Sequence, residues 1–268
     1  MSLRFVVCSC CLSTTRYHFP ESLFWTGLMS YQKPNTQLNP FPSFLAFSRL
    51  LGQIIVLLIV LALLLFVPAG RINWVEAWVF IIAYGAFLVL YAIWGLWKDP
   101  SQLRERSHVS SNTKSWDKVI LGVYTIFLLM IFVVAGIDVG RYRWSGVPPF
   151  VERVGWLGQI LAGSAIFWAV ATNTYLSNVA RIQEDRGQIV VMTGPYKHIR
   201  HPMYIGIILL FFSIPISLGS WWSLIPGVGI GILFVIRTAK EDQMLRSELS
   251  GYSDYSKRVR YRLVPGIW

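Results

Sequence analysis

The chain has 268 residues, of which 54% are hydrophobic and only 14% charged, against roughly a quarter charged in an ordinary soluble domain. Its mean hydropathy is +0.52, which excludes a disordered tail protein, a disulfide-built secreted module and most cytosolic enzymes. What remains is a polytopic membrane protein, whose apolar surface faces lipid. Lys and Arg number 24 against 13 acids, a formal charge of +11. In a membrane chain that excess is first a question of topology.

The first 43 residues stand apart from the rest. They hold Cys8, Cys10 and Cys11 and are rich in Ser, Thr, Pro and Asn. Adjacent Cys10 and Cys11 do not suit a disulfide framework, and only His18 follows as a second type of metal ligand, so no metal site is expected. Phe5 to Leu12 is too short and polar for a signal-peptide core. The expectation for residues 1–43 is a disordered tail. Residues 1–28 are a candidate overextension of the reading frame, with Met29 as the alternative first residue.

Uncharged runs then set the architecture. Leu50–Val67 is 18 residues, Ala77–Trp97 is 21, Val119–Ile137 is 19 and Val154–Ala180 is 27. Each can cross a hydrocarbon core that needs about 20 helical residues. A last run, Met203–Ile236, spans 34 residues broken by Pro215, Gly219-Ser220 and Pro226. That is too long for one straight span, so a tight helical hairpin is expected, turning at Leu218–Trp222 with Trp221 and Trp222 at the interface. Gly227, Gly229 and Gly231 within it suit close helix packing.

Six spans put both termini on one side. Sixteen Lys and Arg residues fall in the segments after spans two, four and six, against four (Arg71, Arg141, Arg143, Arg153) in the opposite loops. Four more precede span one. This positive-inside bias makes both termini cytosolic, and the charge then needs no nucleic-acid partner; no basic-aromatic module is present. The expected fold is all-α: a polytopic membrane helix bundle of about six spans, with no Rossmann sheet. Residues 44–172 form the N-terminal spans and 173–268 a functional core.

Three inner segments are long and polar: Lys98–Lys118, Arg181–Pro202 and Arg237–Trp268. In the second, Gly194-Pro195 forces a turn and Pro202 suits the first turn of span five. Arg200 and His201 then sit at the helix entrance with Tyr204 just inside. That arrangement reads either as an anion site at a helix N-terminus or as interfacial snorkelling, with Gly206 as a close-approach surface. In the third, Arg237 and Glu241 are i, i+4 and share a helix face. An arginine at the hydrocarbon edge calls for a functional role, while a helix-end ion pair is the plainer reading. His108, His198 and His201 lack metal-ligand spacing. The outer loop 138–153 has no paired acid/base set and reads as interfacial anchoring.

The residues G-P-Y-K-H-I-R-H-P-M-Y-I-G at 194–206, R-T-A-K-E-D-Q-M-L at 237–245 and Y-S-D-Y at 252–255 resemble the membrane-embedded methyltransferases of the isoprenylcysteine carboxyl methyltransferase family, related to the phospholipid N-methyltransferases. The likeness covers residues 173–268. It implies S-adenosylmethionine as methyl donor, lined by Gln188, Ile189, Val190 and Val191 and contacted by Tyr196, His201, Pro202, Met203, Tyr204 and Glu241. It implies Arg237 as the catalytic, substrate-side arginine. Asp242, where a second Glu is usual, is given no role. The acceptor implied is lipophilic, a prenylcysteine carboxylate or a lipid; an amine or small-thiol acceptor is the alternative. A transporter or lipid-binding scaffold would show paired halves, and none is visible. The membrane would be the endoplasmic reticulum of a eukaryote or the inner membrane of a bacterium. Oligomeric state is left open.

Overall fold

The computed structural model describes residues 44–107 and 113–268. The expectations for residues 1–43 and for His108 fall outside these. The described residues form one compact unit. In chain order it contains α1 (Phe44–Ala69), α2 (Val75–Lys98), α3 (Pro100–Ser107), α4 (Ser115–Ala135), α5 (Pro149–Thr172), α6 (Pro202–Ser217), α7 (Leu224–Glu248) and α8 (Tyr252–Arg258). No strand occurs among the described residues.

Four helices are long and apolar enough to cross a membrane: α1, α2, α4 with its extension, and α5. The third runs further than its apolar run suggests, because α4 continues into a π-helical stretch, Gly136–Tyr142, that carries Asp138 into the protein. The last pair is the expected hairpin, with a turn at 218–223 between α6 and α7. At 1.5 Å per residue, the 16 residues of α6 reach only about 24 Å. α7 is apolar up to Ile236 and then projects a polar half beyond the bundle. Proline at the first turn of both α5 and α6 starts each helix without losing a backbone bond.

α5 and α6 pack along a seam of small residues. A Cβ on Gly155 would lie 2.6 Å from the Ser217 nitrogen, and one on Gly206 would lie 3.0 Å from the Ala162 carbonyl. Such seams let backbones approach in lipid, where packing replaces the hydrophobic effect between helices. Gly206 therefore serves α5, not the close-approach surface for a ligand that its sequence position suggested. Gly227 and Gly229 behave as expected: a Cβ on the first would meet the Phe211 carbonyl at 2.6 Å and on the second the Phe127 ring at 2.9 Å.

The loops sort to two ends, as alternating spans require. At one end, Lys114 pairs with Glu248 at 2.8 Å and Arg181 with Glu105 at 2.8 Å. There Gln102 also donates to the carbonyls of Val170 and Asn173. This end gathers the three basic segments and is called the inner end. At the other, Asp138 accepts from Ser145 and from Ser220 of the hairpin turn, and Arg71 donates to the Val139 carbonyl.

Candidate functional site

The inner segment before α6 is held in place by the C-terminal segment. The amides of Arg200 and His201 donate to the carbonyls of Tyr261 and Arg262, each at 3.0 Å. The Tyr255 hydroxyl donates to the Tyr196 carbonyl at 2.7 Å. Gly194 makes the preceding turn at φ +55, where a Cβ would also strike the Thr172 hydroxyl at 2.8 Å. Only glycine satisfies both demands.

These constraints open a cleft at the inner end between the 173–203 segment, the start of α6, the polar half of α7, and α8. Gln188, Ile189, Val190, Val191, Tyr196, His201, Pro202, Met203, Tyr204 and Glu241 all line it. Tyr204, in the first turn of α6, donates its hydroxyl to Glu241 in α7. Two stretches nearly forty residues apart in the chain thus meet in one cavity. Tyr252 and Tyr255, one turn apart on α8, add aromatic wall. Gln188 is partly committed already, since its side-chain oxygen accepts from the Gln183 amide at 2.8 Å.

Arg237 lies beside this cleft rather than on its lining. Its guanidinium carbon sits 5.5 Å from the centre of the Tyr204 ring and 5.8 Å from that of Phe234, cation–π geometry. Its ion pair is not with Glu241, as the i, i+4 spacing suggested, but with Asp117 at the start of α4. Nε and Nη2 donate to the two carboxylate oxygens at 2.8 and 3.1 Å, and Nη2 also to the Asn178 carbonyl at 2.9 Å. Asp117 is fully buried and accepts a third bond from the Ala180 amide at 2.7 Å. A buried arginine with such a partner is neutralised rather than snorkelling.

Arg200 is likewise not free to hold an anion at the helix entrance. Its Nε donates to Asp242 at 2.7 Å, and its Nη1 to the carbonyls of Val259 and Arg260 at 2.7 and 2.8 Å. Asp242, given no role from the sequence, is a hub. It also pairs with Arg246 at 3.1 Å and Arg262 at 3.0 Å, and accepts from the Tyr252 hydroxyl at 3.0 Å. Burial opposes its ionisation, but hydrogen bonds from His201 and Arg200 prevail and hold the carboxyl well below its usual range. Burial also pushes the Tyr252 phenol up, so it stays a donor. Adjacent residues on a helix point about 100° apart, which sends Glu241 into the cleft and Asp242 to the arginines.

Sequence reasoning missed Asp117, Asp242 and the two α8 tyrosines as parts of this assembly. The one available signal was Asp117 itself, a lone acid one residue before Lys118 and an uncharged run, which reads as an ordinary first-turn carboxylate. No cluster of metal-ligating side chains occurs among the described residues.

The chemistry of the lining suits S-adenosylmethionine: a carboxylate for hydroxyl or ammonium groups, tyrosine rings, and an apolar strip at Ile189–Val191 for a flat base. The open space is about 80 Å³, below the roughly 300–1,000 Å³ of ligand pockets. Seating a nucleoside therefore requires side chains of the cleft wall to move outward.

Comparison with known proteins places a family match over most of the segments that line the cleft. Residues 154–250, about a third of the chain, match the family model described as phospholipid methyltransferase, on a fold that is all-helical among the described residues and has four helices long and apolar enough to cross a membrane. Among individual proteins, the cobalt-zinc-cadmium resistance protein CzcN of Cupriavidus metallidurans is 26% identical over 162 residues, covering 57% of this chain and 69% of that protein. The solved structure of a eukaryotic intramembrane Ras methyltransferase, isoprenylcysteine carboxyl methyltransferase, is similar at a TM-score of 0.43. It shares 19% identity over 83% of this chain and 76% of that one.

Proposed function

We propose that this chain transfers a methyl group from S-adenosylmethionine to a lipid-linked carboxylate at the cytosolic face of its membrane. The observation that carries this reading is the link between Tyr204 and Glu241 inside a cleft lined by all ten residues assigned to the donor. The positive-inside bias makes the arginine-rich inner end cytosolic, where a water-soluble donor is available.

When bound, the donor supplies an electrophilic methyl group on a sulfonium. Glu241 holds negative charge toward the donor's hydroxyl or ammonium groups. The rings of Tyr196, Tyr252 and Tyr255 wall the cleft, the two α8 hydroxyls being turned away to Asp242 and the Tyr196 carbonyl. A carboxylate acceptor is already ionised at neutral pH, so positioning does most of the work and no base is needed. Arg237 keeps Nη1 outside its bonds to Asp117 and Asn178, and that nitrogen is assigned to the acceptor. Because Asp117 offsets its charge, Arg237 can orient an incoming carboxylate without quenching its nucleophilicity. An apolar cleft of about 420 Å³ between α2, α5 and α6, lined by Tyr84, Phe87, Gly163 and Phe167, suits the acceptor's hydrocarbon chain.

A second reading has one specific support. The matching family model is that of phospholipid methyltransferases, and an amine acceptor must lose a proton before attack. The Tyr204–Glu241 pair is the group placed to receive it. The test is labelled donor with prenylcysteine, phosphatidylethanolamine and thiol acceptors, in membranes holding wild type, Glu241→Ala or Arg237→Ala. Loss of donor binding in the first variant and retained binding with lost turnover on prenylcysteine in the second support the carboxylate reading. Turnover on the amine, rising with pH through a single ionisation, supports the second. Unchanged donor binding in Glu241→Ala discards both.

A further inference from the structure

A second cleft of about 320 Å³ is lined by Arg246, Arg260, Arg262, Tyr261, Ile267 and Trp268, and it shares Arg200 with the methyl-transfer cleft. Its charge does not balance. Arg200, Arg246 and Arg262 converge on the one carboxylate of Asp242, the last two sharing its Oδ2 oxygen. Asp242 offsets one of those three cations, and the terminal carboxylate of Trp268, whose oxygen accepts from the amides of Arg262 and Leu263, offsets at most one more. Arg260 adds a fourth, exposed, with no carboxylate partner among the described residues. Of the three paired arginines, Arg200 is consumed by backbone carbonyls. Arg246 and Arg262, however, keep side chains 43% and 27% accessible. The Arg262 guanidinium carbon sits 4.7 Å from the centre of the Trp268 ring, a cation–π contact that holds the group at the cleft.

The rim of the same cleft is apolar. Tyr261, Val264 and Ile267 are exposed beside the arginines, Ile267 at 81%. Exposed aliphatic and aromatic side chains next to a cationic cleft, at the cytosolic end of a membrane bundle, match the layering of a bilayer surface: acyl chains, then phosphates.

We propose that this cleft binds the phosphate of an anionic phospholipid, with Arg246, Arg260 and Arg262 as its ligands and the 261–267 segment resting in the interface. The recognition favours a headgroup of net negative charge. A phosphatidylcholine phosphate brings its own ammonium, which the arginines repel. The site is independent of the acceptor reading, because phosphatidylglycerol carries no amine, carboxylate or thiol to be methylated.

The test is native mass spectrometry of the purified full chain in detergent, titrated with phosphatidylglycerol and phosphatidylcholine. The expected result is a clear preference for phosphatidylglycerol. It should fall about five-fold in Arg260→Gln and on the order of 20-fold in Arg246→Gln/Arg260→Gln, since each basic residue near an anionic surface contributes about that factor. Arg260→Lys, which keeps the charge, should retain most of the preference. The exposed Lys257 and Arg258 of α8 do not line the cleft, so Lys257→Gln/Arg258→Gln should leave the preference near wild type. Equal binding of the two lipids, or an equal loss in the α8 variant, would overturn the site in favour of diffuse charge. Displacement of phosphatidylglycerol by millimolar inorganic phosphate would overturn the lipid as its ligand.

Discussion

The two ends of the bundle both bury aspartates, and satisfy them in opposite ways. At the outer end Asp138 is met by the Ser145 amide and by the hydroxyls of Ser145 and Ser220, at 2.8, 2.5 and 2.6 Å. At the inner end Asp117 and Asp242 are met by guanidinium groups. Hydroxyls and amides close a turn without importing a cation, which suits a region whose task is to tie α4 to the hairpin. Arginines import fixed charge and geometry to the edge of a cavity. The inner end therefore carries positive charge held within reach of a substrate, and the outer end carries only closure.

The strongest way to break this comparison is to leave one inner cation alone. Asp117→Ala strands a buried Arg237, which should cost about 3–5 kcal/mol and abolish methyl transfer; a melting curve close to wild type would show that the pair is not structural. Acid should act next, through Asp242. Its folded value is depressed below the ordinary 3.8, so its contribution to stability is complete above that pH and is lost as pH falls below it. Thermal melts from pH 6 to pH 3 should show this decline in wild type and a shallower one in Asp242→Asn.

The outer end should answer differently. Asp138→Ala leaves Ser145 and Ser220 without their acceptor and should cost about 1–3 kcal/mol, with the affinity for donor unchanged; a weakened donor affinity would show that the two ends are coupled. Smaller still is Glu241→Gln, which keeps shape and removes charge. Donor affinity should drop about ten-fold, roughly 1.4 kcal/mol, without a shift in melting temperature. The smallest effect concerns the apolar cleft. A Cβ on Gly163 meets only the Phe87 ring, at an ordinary 3.7 Å. Gly163→Leu should therefore fill that cleft, raising KM for a lipophilic acceptor a few-fold while donor binding stays at the wild-type level.

Much of the fold was legible because lipid imposes strict rules on a chain. Uncharged runs gave the spans, Pro202 the start of α6, and Gly219-Ser220 the hairpin turn. Tyr196, His201, Pro202, Met203, Tyr204 and Glu241 fall in two short motifs, so their meeting in one cavity was legible too. Less visible was the partner of Arg237. A helical repeat points to Glu241 four residues on, whereas Asp117 lies 120 positions away and meets Arg237 only because α4 and α7 pack together. Asp242 looked redundant beside Glu241 for a related reason: apart from Arg246, one turn on in the same helix, its partners are Arg200, Tyr252 and Arg262, on three other segments.

By itself the sequence determined which segments leave water, where they turn and which end carries the positive charge, since these follow from local composition and the cost of burying charge in hydrocarbon. Only the tertiary structure decided which carboxylate neutralises which arginine. That choice depends on helix packing and on the last eight residues folding back over the entrance to α6, and no local rule encodes either.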